Sequence, residues 1–244
     1  VLLPATTNEV AEIVRACRKF DVAFVPRGAG TGLSGGAHAT ENSVLIECSR
    51  MNRILEVDAE DRFAVVGPGV VNAELSTAVA DFGLFFAPDP SSQQACTIGG
   101  NVAENAGGPH TLKYGTTTNH ILALEMVLPD GRIARFGNTV GEACGLDLVG
   151  AIVGSEGTLG IVTEVTVRLT QIPEGVETLL AILDDVVAAC RAVGRIIRSG
   201  VVAAALEIVD RRTIEAVEAS VYAAGLPTSA GAVLIVELDG NPVC

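Results

Sequence analysis

The stretch Pro26-Arg27-Gly28-Ala29-Gly30-Thr31-Gly32-Leu33-Ser34-Gly35-Gly36 constrains the fold more than any other part of the sequence. Five of the nine residues from 28 to 36 are glycine, and they follow directly on the apolar run 22–25. Such a loop accepts positive φ angles and lets bare N–H groups converge on one point, where a diphosphate fits. Gly30, Gly32 and Gly35 formally satisfy a dinucleotide-binding G-x-G-x-x-G, but that fingerprint requires a helix beginning at the glycines. Residues 37–43 carry no apolar repeat at helical spacing and lead into another strand at 44–48, so the reading fails on context. A P-loop fails too, because Gly36 and Ala37 stand where Lys and Ser/Thr are needed. What remains is strand, anion-binding glycine loop, strand. The competing reading is a flexible surface loop.

Around this loop the chain reads as alternating elements. Residues 1–4 suggest a short strand, and Thr6, Thr7 and Glu9 mark a helix start whose Val10, Ile13, Val14 and Cys17 share one face. Strand, helix, strand is a parallel unit, with the glycine loop at the carboxyl end of its second strand, where open α/β sheets place ligands. Residues 53–58 and 62–67 read as an antiparallel hairpin. Asn72 is expected to cap a helix that turns Leu75, Val79 and Phe82 inward and closes at Gly83.

A second informative stretch runs from Pro88-Asp89-Pro90-Ser91 to Thr97-Ile98-Gly99-Gly100-Asn101-Val102-Ala103-Glu104-Asn105-Ala106-Gly107-Gly108. A long segment with little periodicity counts against an assignment unless it wraps a ligand. Its small residues let the backbone approach a flat ring, and a short helix at 101–105 is expected to add its N-terminal dipole. The competing reading is a tight helix contact made by small residues. Tyr114-Gly115 then precedes a strand at 121–128 and a hairpin turn at 129–132. A third glycine cluster, Gly154-Ser155-Glu156-Gly157-Thr158-Leu159-Gly160-Ile161-Val162, opens onto a β-branched run and suggests a backbone contact.

Composition narrows the function classes. With 49% hydrophobic but only 4% aromatic residues and no Trp, the core of this 244-residue chain is built from Val, Ile, Leu and Ala. A net charge of −13 argues against nucleic acid and against anionic membrane surfaces. No apolar run approaches the roughly 20 residues that span a bilayer, so no transmembrane segment is expected. No signal peptide is recognisable, and Val1 already stands in what reads as a strand, so the chain ends are read as cut ends. Cys17, Cys48, Cys96, Cys144, Cys190 and Cys244 form no C-x-x-C pair and have no His at ligand spacing, so no metal is expected and they read as reduced thiols of a cytosolic protein.

Glycine becomes sparse after Pro173. Strands at 177–183, 203–209 and 232–238 alternate with helices at 185–199 and 211–224, and no histidine appears. A domain boundary is placed there: residues 1–172 form one domain and 173–244 the beginning of a second, α+β domain cut off at Cys244.

The phrases PRGAGTGLSGGA, APDPSSQQACTIGGNVAENAGG, LKYG and GSEGTLGIVTEVTV, in that order, resemble the flavin-binding domain of the vanillyl-alcohol-oxidase type. Within that superfamily the chain is similar to the FAD-linked 2-hydroxy-acid dehydrogenases of the glycolate oxidase and D-lactate dehydrogenase kind. The resemblance implies an α+β fold of two subdomains with FAD clasped between them, followed by the start of a substrate-binding cap. It implies that Arg27, Gly28, Ala29, Gly30, Thr31, Gly32 and Ser34 cradle the pyrophosphate. Pro88, Asp89, Pro90, Ser91, Thr97, Gly99, Gly100, Asn101, Ala103, Ala106, Gly107, Gly108, Tyr114 and Gly115 would line the flavin and its ribityl chain. Glu156, Gly157, Gly160, Ile161 and Val162 would meet the adenosine side.

The implied chemistry is oxidation of a small 2-hydroxy acid to the 2-oxo acid by hydride transfer to flavin N5, with electrons passed on. Implied partners are iron-sulfur and second flavin-type subunits of a glycolate oxidase complex. The expected location is the cytoplasm, with those subunits as the route to any peripheral contact with the inner membrane. Two departures matter. Covalent members carry a His where this chain has Thr31, so the FAD is expected to be non-covalent. The family's histidine-rich motif lies late in the cap, beyond this chain. His38 reads as solvated, and His110, Lys113 and Tyr114 are weak catalytic candidates only. An accessory subunit that binds FAD without catalysis is the alternative.

Overall fold

Thr6 starts the first helix as its sequence position requires: in the computed structural model, which describes residues 1–139 and 145–241, its Oγ1 accepts the Glu9 N–H at 3.2 Å. The helix, α1 (Thr7–Lys19), buries Val10, Ala11, Val14 and Cys17 and ends with Arg18 and Lys19 in the turn where the dipole favours cations. Val10 and Val14, both fully buried, contribute about 1.5–3 kcal/mol each relative to exposure. Strand β1 (Ala23–Arg27) pairs in parallel with β2 (Ser43–Glu47), and α1 packs its buried face toward Ile46, Cys48 and Met51. The expected strand at 1–4 reduces to one bridge: Leu2 N–H donates to Leu45 O at 2.8 Å and Leu2 O accepts from Glu47 N–H at 2.9 Å. Pro4 has no N–H to extend such a ladder.

Strands β3 (Ile54–Asp58) and β4 (Phe63–Val66) form the hairpin, turned by Asp58, whose Oδ1 accepts the N–H groups of Glu60 and Asp61. Helix α2 (Asn72–Val79) follows, but Asn72 does not cap it. Val71 holds the cap position without a side-chain bond, while buried Asn72 lies inside the helix and gives its Nδ2 to Pro88 O at 2.8 Å. A buried amide is costly unless satisfied, and the carbonyl of the neighbouring loop satisfies it. Phe82 is 56% exposed because the helix tightens to a 3₁₀ turn at Ala80–Phe82, which changes the phase of the apolar repeat; Gly83, at φ 70°, closes it.

The short strand β5 (Leu84–Phe85) leads to α3 (Ile98–Glu104), which begins earlier than residues 101–105. Thr97 caps it by accepting the Gly100 N–H at 3.3 Å, and Asn105 ends it in the left-handed region. A four-residue helix, α4 (Thr111–Tyr114), precedes β6 (Ile121–Val127), β7 (Ile133–Gly137), a short α5 (Leu148–Ile152), β8 (Ile161–Arg168) and β9 (Thr170–Gln171). β5 pairs with β9. The remaining strands make a five-stranded antiparallel sheet in the order β3-β4-β8-β6-β7. Its main core joins Val66, Val165, Val167 and Leu124 to Leu75 and Val79 of α2 and Ile98 and Val102 of α3. All of these elements except α4 belong to a unit of Val1–Gly108 and Gly115–Ile172.

The second unit comprises Pro109–Tyr114, hence α4, and Pro173–Cys244. Strands β10 (Gly175–Leu183), β11 (Ala205–Asp210) and β12 (Ala232–Gly240) form an antiparallel sheet with β12 central. Helix α6 (Val186–Arg198) packs Ala192, Val193 and Ile196 with Leu234 and Val236, and α7 (Arg211–Glu218) packs Ile214 with Val233. α7 stops at Glu218 because that carboxylate accepts the N–H groups of Ala224, Gly225 and Leu226 and holds them in a loop. Cys17, Cys48, Cys96 and Cys190 are free thiols, and Cys144 and Cys244 lie outside the described residues. No helix among the described residues is long and apolar enough to cross a membrane.

Candidate functional site

The glycine loop joins two parallel strands without a helix, so its shape must come from its own backbone and from what it touches. Gly30 sits at φ 72°, and a Cβ there would stand 2.6 Å from Arg27 Nη2. At the loop's root, a Cβ on Gly28 would stand 2.3 Å from Thr97 Oγ1, the atom that caps α3. Glycine at 28 is therefore the condition for the first stretch to meet the second. Further along, the Ser34 hydroxyl donates to Glu104 Oε2 at 2.7 Å, tying the loop to the end of α3.

The third stretch also reaches α3. Gly154 N–H donates to Val102 O at 2.8 Å and Glu156 N–H to Ala103 O at 2.9 Å. Glu156 takes φ 52°, an uncommon conformation for a residue with a Cβ. The three glycine-rich stretches, far apart in sequence, thus converge on one short helix.

They enclose a cavity of about 520 Å³ within the first unit, in the range of small-molecule and cofactor sites. Arg27, Gly28, Ala29, Gly30, Thr31, Gly32, Ser34, Pro90, Ser91, Thr97, Gly99, Gly100, Asn101, Ala103, Ala106, Gly107, Glu156, Gly157, Gly160, Ile161 and Val162 all line it. Pro88, Asp89, Gly108 and Gly115 belong to the same unit but are not among the lining residues; Pro88 is the carbonyl that holds Asn72. Leu33, Gly36, Ala37, Ser92, Val102, Glu104 and Ser155 also line the cavity and adjoin the stretches that sequence singled out. Cys48, Pro68, Cys96 and Ile152 join them, and Cys48, Pro68 and Ile152 carried no sequence signal because only the tertiary fold brings them there.

Among the described residues the wall carries one cation, Arg27, and two carboxylates, Glu104 and Glu156. Both thiols are held neutral. Burial, then the charge of Glu47, pushes Cys48 up to about 12. Burial also raises Cys96, against opposing hydrogen bonds from Ser92, its own backbone and Asn101. Neither thiol is therefore a thiolate poised to attack a ligand. The site's wall of small residues, backbone amides and a single Arg fits a flat, phosphate-bearing molecule that brings its own chemistry, and side chains at Gly28 or Gly30 would collide with Thr97 and Arg27, two of the lining residues.

The weak catalytic candidates lie in the second unit and are engaged there. His110 Nε2 is 2.7 Å from Glu237 Oε1. Lys113 pairs with Asp239 Oδ1 and donates to the Asp239 carbonyl at 3.0 Å, and the Tyr114 hydroxyl donates to Asp239 Oδ2. Burial, followed by the hydrogen bond to Asp239 and the charges of Asp239 and Glu237, raises the Tyr114 pKa. Burial works to raise Asp239, but hydrogen bonds from Lys113 and Tyr114 and the charges of Lys113 and His110 outweigh it and lower the pKa. His38 is exposed, and His120 is buried with its ring edge-on to Phe86 at 6.1 Å between centroids.

Comparison with known proteins bears on this arrangement. Residues 1–137 match the family model described as the FAD binding domain, and residues 150–243 match the C-terminal domain of FAD linked oxidases. The chain is 47% identical over 240 residues to the glycolate oxidase subunit GlcD of Escherichia coli (strain K12), covering 98% of this chain and 48% of that protein. It is 46% identical over 242 residues to the corresponding subunit of Bacillus subtilis (strain 168), with coverages of 98% and 51%. It is 36% identical over 248 residues to a D-lactate dehydrogenase of Anaerostipes hadrus, with coverages of 99% and 52%. The chain therefore spans about half the length of these relatives. A solved alkyldihydroxyacetonephosphate synthase superposes with a TM-score of 0.82 at 24% identity, over 99% of this chain and 47% of that one, and so shares the fold. With the FAD-binding model covering more than half of its length, the chain belongs to the FAD-linked oxidase family.

Proposed function

We propose that the chain is the flavin-carrying part of an enzyme that oxidises a 2-hydroxy acid, glycolate or D-lactate, to the 2-oxo acid, with non-covalent FAD in the cavity of the first unit. The observation that carries this is the convergence of three glycine-rich stretches on that single cavity. The glycolate oxidase subunits and the D-lactate dehydrogenase among its relatives supply the substrate class.

In this reading Arg27 and the amides of 28–34 bind the diphosphate, Thr97 to Gly107 lie along the ring and ribityl chain, and Glu156 to Val162 meet the adenosine end. Bound there, FAD would supply the hydride acceptor for the substrate's C2 and an outlet for the electrons to another acceptor. The protein's own work is binding, orientation and exclusion of water. Thr31 and the neutral thiols of Cys48 and Cys96 leave the wall without a group suited to bond the flavin covalently. A base for the substrate hydroxyl and a cation for its carboxylate are assigned to the half of the relatives' length that this chain does not span. GlcD is named as a subunit, and we extend that to this chain: it works with other subunits, iron-sulfur and second-flavin proteins, in the cytoplasm.

The test is anaerobic reduction. A polypeptide extended to the length of the relatives and loaded with FAD is expected to bleach with glycolate or D-lactate, while the loaded 244-residue chain is expected to bleach no faster than free flavin. Bleaching by neither acid in the extended protein contradicts the substrate assignment.

A further inference from the structure

Each of residues 28–34 carries a backbone N–H, and among the described residues neither these groups nor the carbonyls of the segment bond to any other backbone group. Groups left so are satisfied by water or by a ligand. Among the described residues the segment makes one hydrogen bond, from the Ser34 hydroxyl to Glu104 Oε2 at 2.7 Å. The far limb of the glycine loop therefore hangs on a single side chain of α3. A Cβ on Gly32 would stand 3.2 Å from Glu104 Oε1, so the same carboxylate lies against the loop at two points.

Glu104 is the last residue of α3, and the turn that carries it is fixed by the rest of the first unit. The carbonyls of Val102 and Ala103 accept the N–H groups of Gly154 and Glu156 at 2.8 and 2.9 Å. Asn105, next in the chain, accepts both the N–H and the hydroxyl of Thr118 on its Oδ1, each at 2.9 Å. The helix gains nothing from an acid at this end, where its dipole disfavours negative charge. An anionic ligand gains nothing either, since Glu104 lines the same cavity as the glycine loop. What the carboxylate offers there is an acceptor for Ser34. A loop already held at one point loses less conformational freedom when a ligand orders it than a loop held at none.

We propose that Glu104 is a positioning residue of the cofactor site: through Ser34 it holds the far limb of the glycine loop in the shape that receives the diphosphate. This rests on the FAD reading above. The test compares Glu104→Gln with Glu104→Ala. Both remove the charge, but only Gln keeps an oxygen that accepts the Ser34 hydroxyl, so the difference between them isolates the latch. The FAD dissociation constant, taken from flavin fluorescence, is expected to be about fivefold higher in Glu104→Ala than in Glu104→Gln, the scale of one exposed hydrogen bond. In a Ser34→Ala background the two substitutions are expected to bind FAD equally, because the route between Glu104 and the loop is gone. Heteronuclear NOEs of the backbone amides read the loop without cofactor: those of 31–36 are expected to fall in Glu104→Ala and to stay near the wild type in Glu104→Gln. Equal FAD affinities of Glu104→Gln and Glu104→Ala, or unchanged NOEs in Glu104→Ala, overturn the latch. A difference in affinity that persists without the Ser34 hydroxyl overturns the route through it. A wild type that takes up no FAD defeats the cofactor reading instead, while the NOEs still decide whether Glu104 holds the loop.

Discussion

Gly30 is a residue at which the cavity is sharply exposed to mutation. Its φ of 72° and the Arg27 guanidinium 2.6 Å from its missing Cβ make any side chain strained and obstructive at once. Gly30→Val is expected to bind FAD about five- to 150-fold more weakly, since strain of this kind costs about 1–3 kcal/mol. Equilibrium titration by flavin fluorescence checks this, and the far-ultraviolet circular dichroism is expected to stay near that of the wild type. Thr31 makes a second point: with no His, Cys or Tyr at the position where covalent members carry His, acid or heat is expected to release all flavin into the supernatant. Fluorescence that stays with the denatured chain would contradict it. The glycines and Arg27 were legible in the sequence because their types carry the chemistry. Cys48 and Ile152 were not, since an ordinary apolar or thiol side chain reveals nothing of the cavity it faces. Asn72 misled for a physical reason: an Asn ahead of an apolar repeat caps a helix only when no buried carbonyl offers a better bond, and here Pro88 does.

Elements held by apolar periodicity, such as α1 and β6, could be read directly, whereas those held by polar contacts could not. α5 is capped by Asp147 accepting the Gly150 N–H at 2.8 Å, and α7 is cut short by Glu218, and neither contact follows from a repeat. α4 is the extreme case, and its polar anchorage gives it a defined pH window. Asp239 is lowered in the folded protein, so its contribution is present above the ordinary carboxylate value of about 3.9 and is lost as pH falls through the lowered one. Tyr114 is raised, so its contribution is present below about 10 and is lost as pH rises through the raised value. Asp239 is faced by Lys113, Tyr114 and His110, with uncharged Val176 opposite it on β10. Of the two tyrosines, Tyr222 is substituted to isolate Tyr114. In Tyr222→Phe, phenolate absorbance is expected to appear with a midpoint above about 10. A midpoint at or below that value would show that Tyr114 is not held by the Asp239 carboxylate.

Strand order is the part of the architecture that no local signal encodes. β8 inserts between β4 and β6, pairing Val66 with Val165 and Leu124 also with Val165, so the sheet closes only when residues nearly a hundred positions apart meet. The same closure carries the third glycine stretch onto α3, where Glu156 donates to Ala103, and so creates the cavity. The proposed function depends on tertiary convergence: three stretches, readable alone as an anion loop, a ring contact and a backbone contact, line one cavity only together. Hydrogen exchange of the purified chain with and without FAD tests this most directly. The expected result is slowed exchange on FAD addition in 28–36, 97–107 and 154–162 together, with the β10–β12 and β11–β12 ladders unchanged. Protection absent from any one of the three stretches, or concentrated in the second unit's ladders, would contradict the assignment of that cavity to FAD.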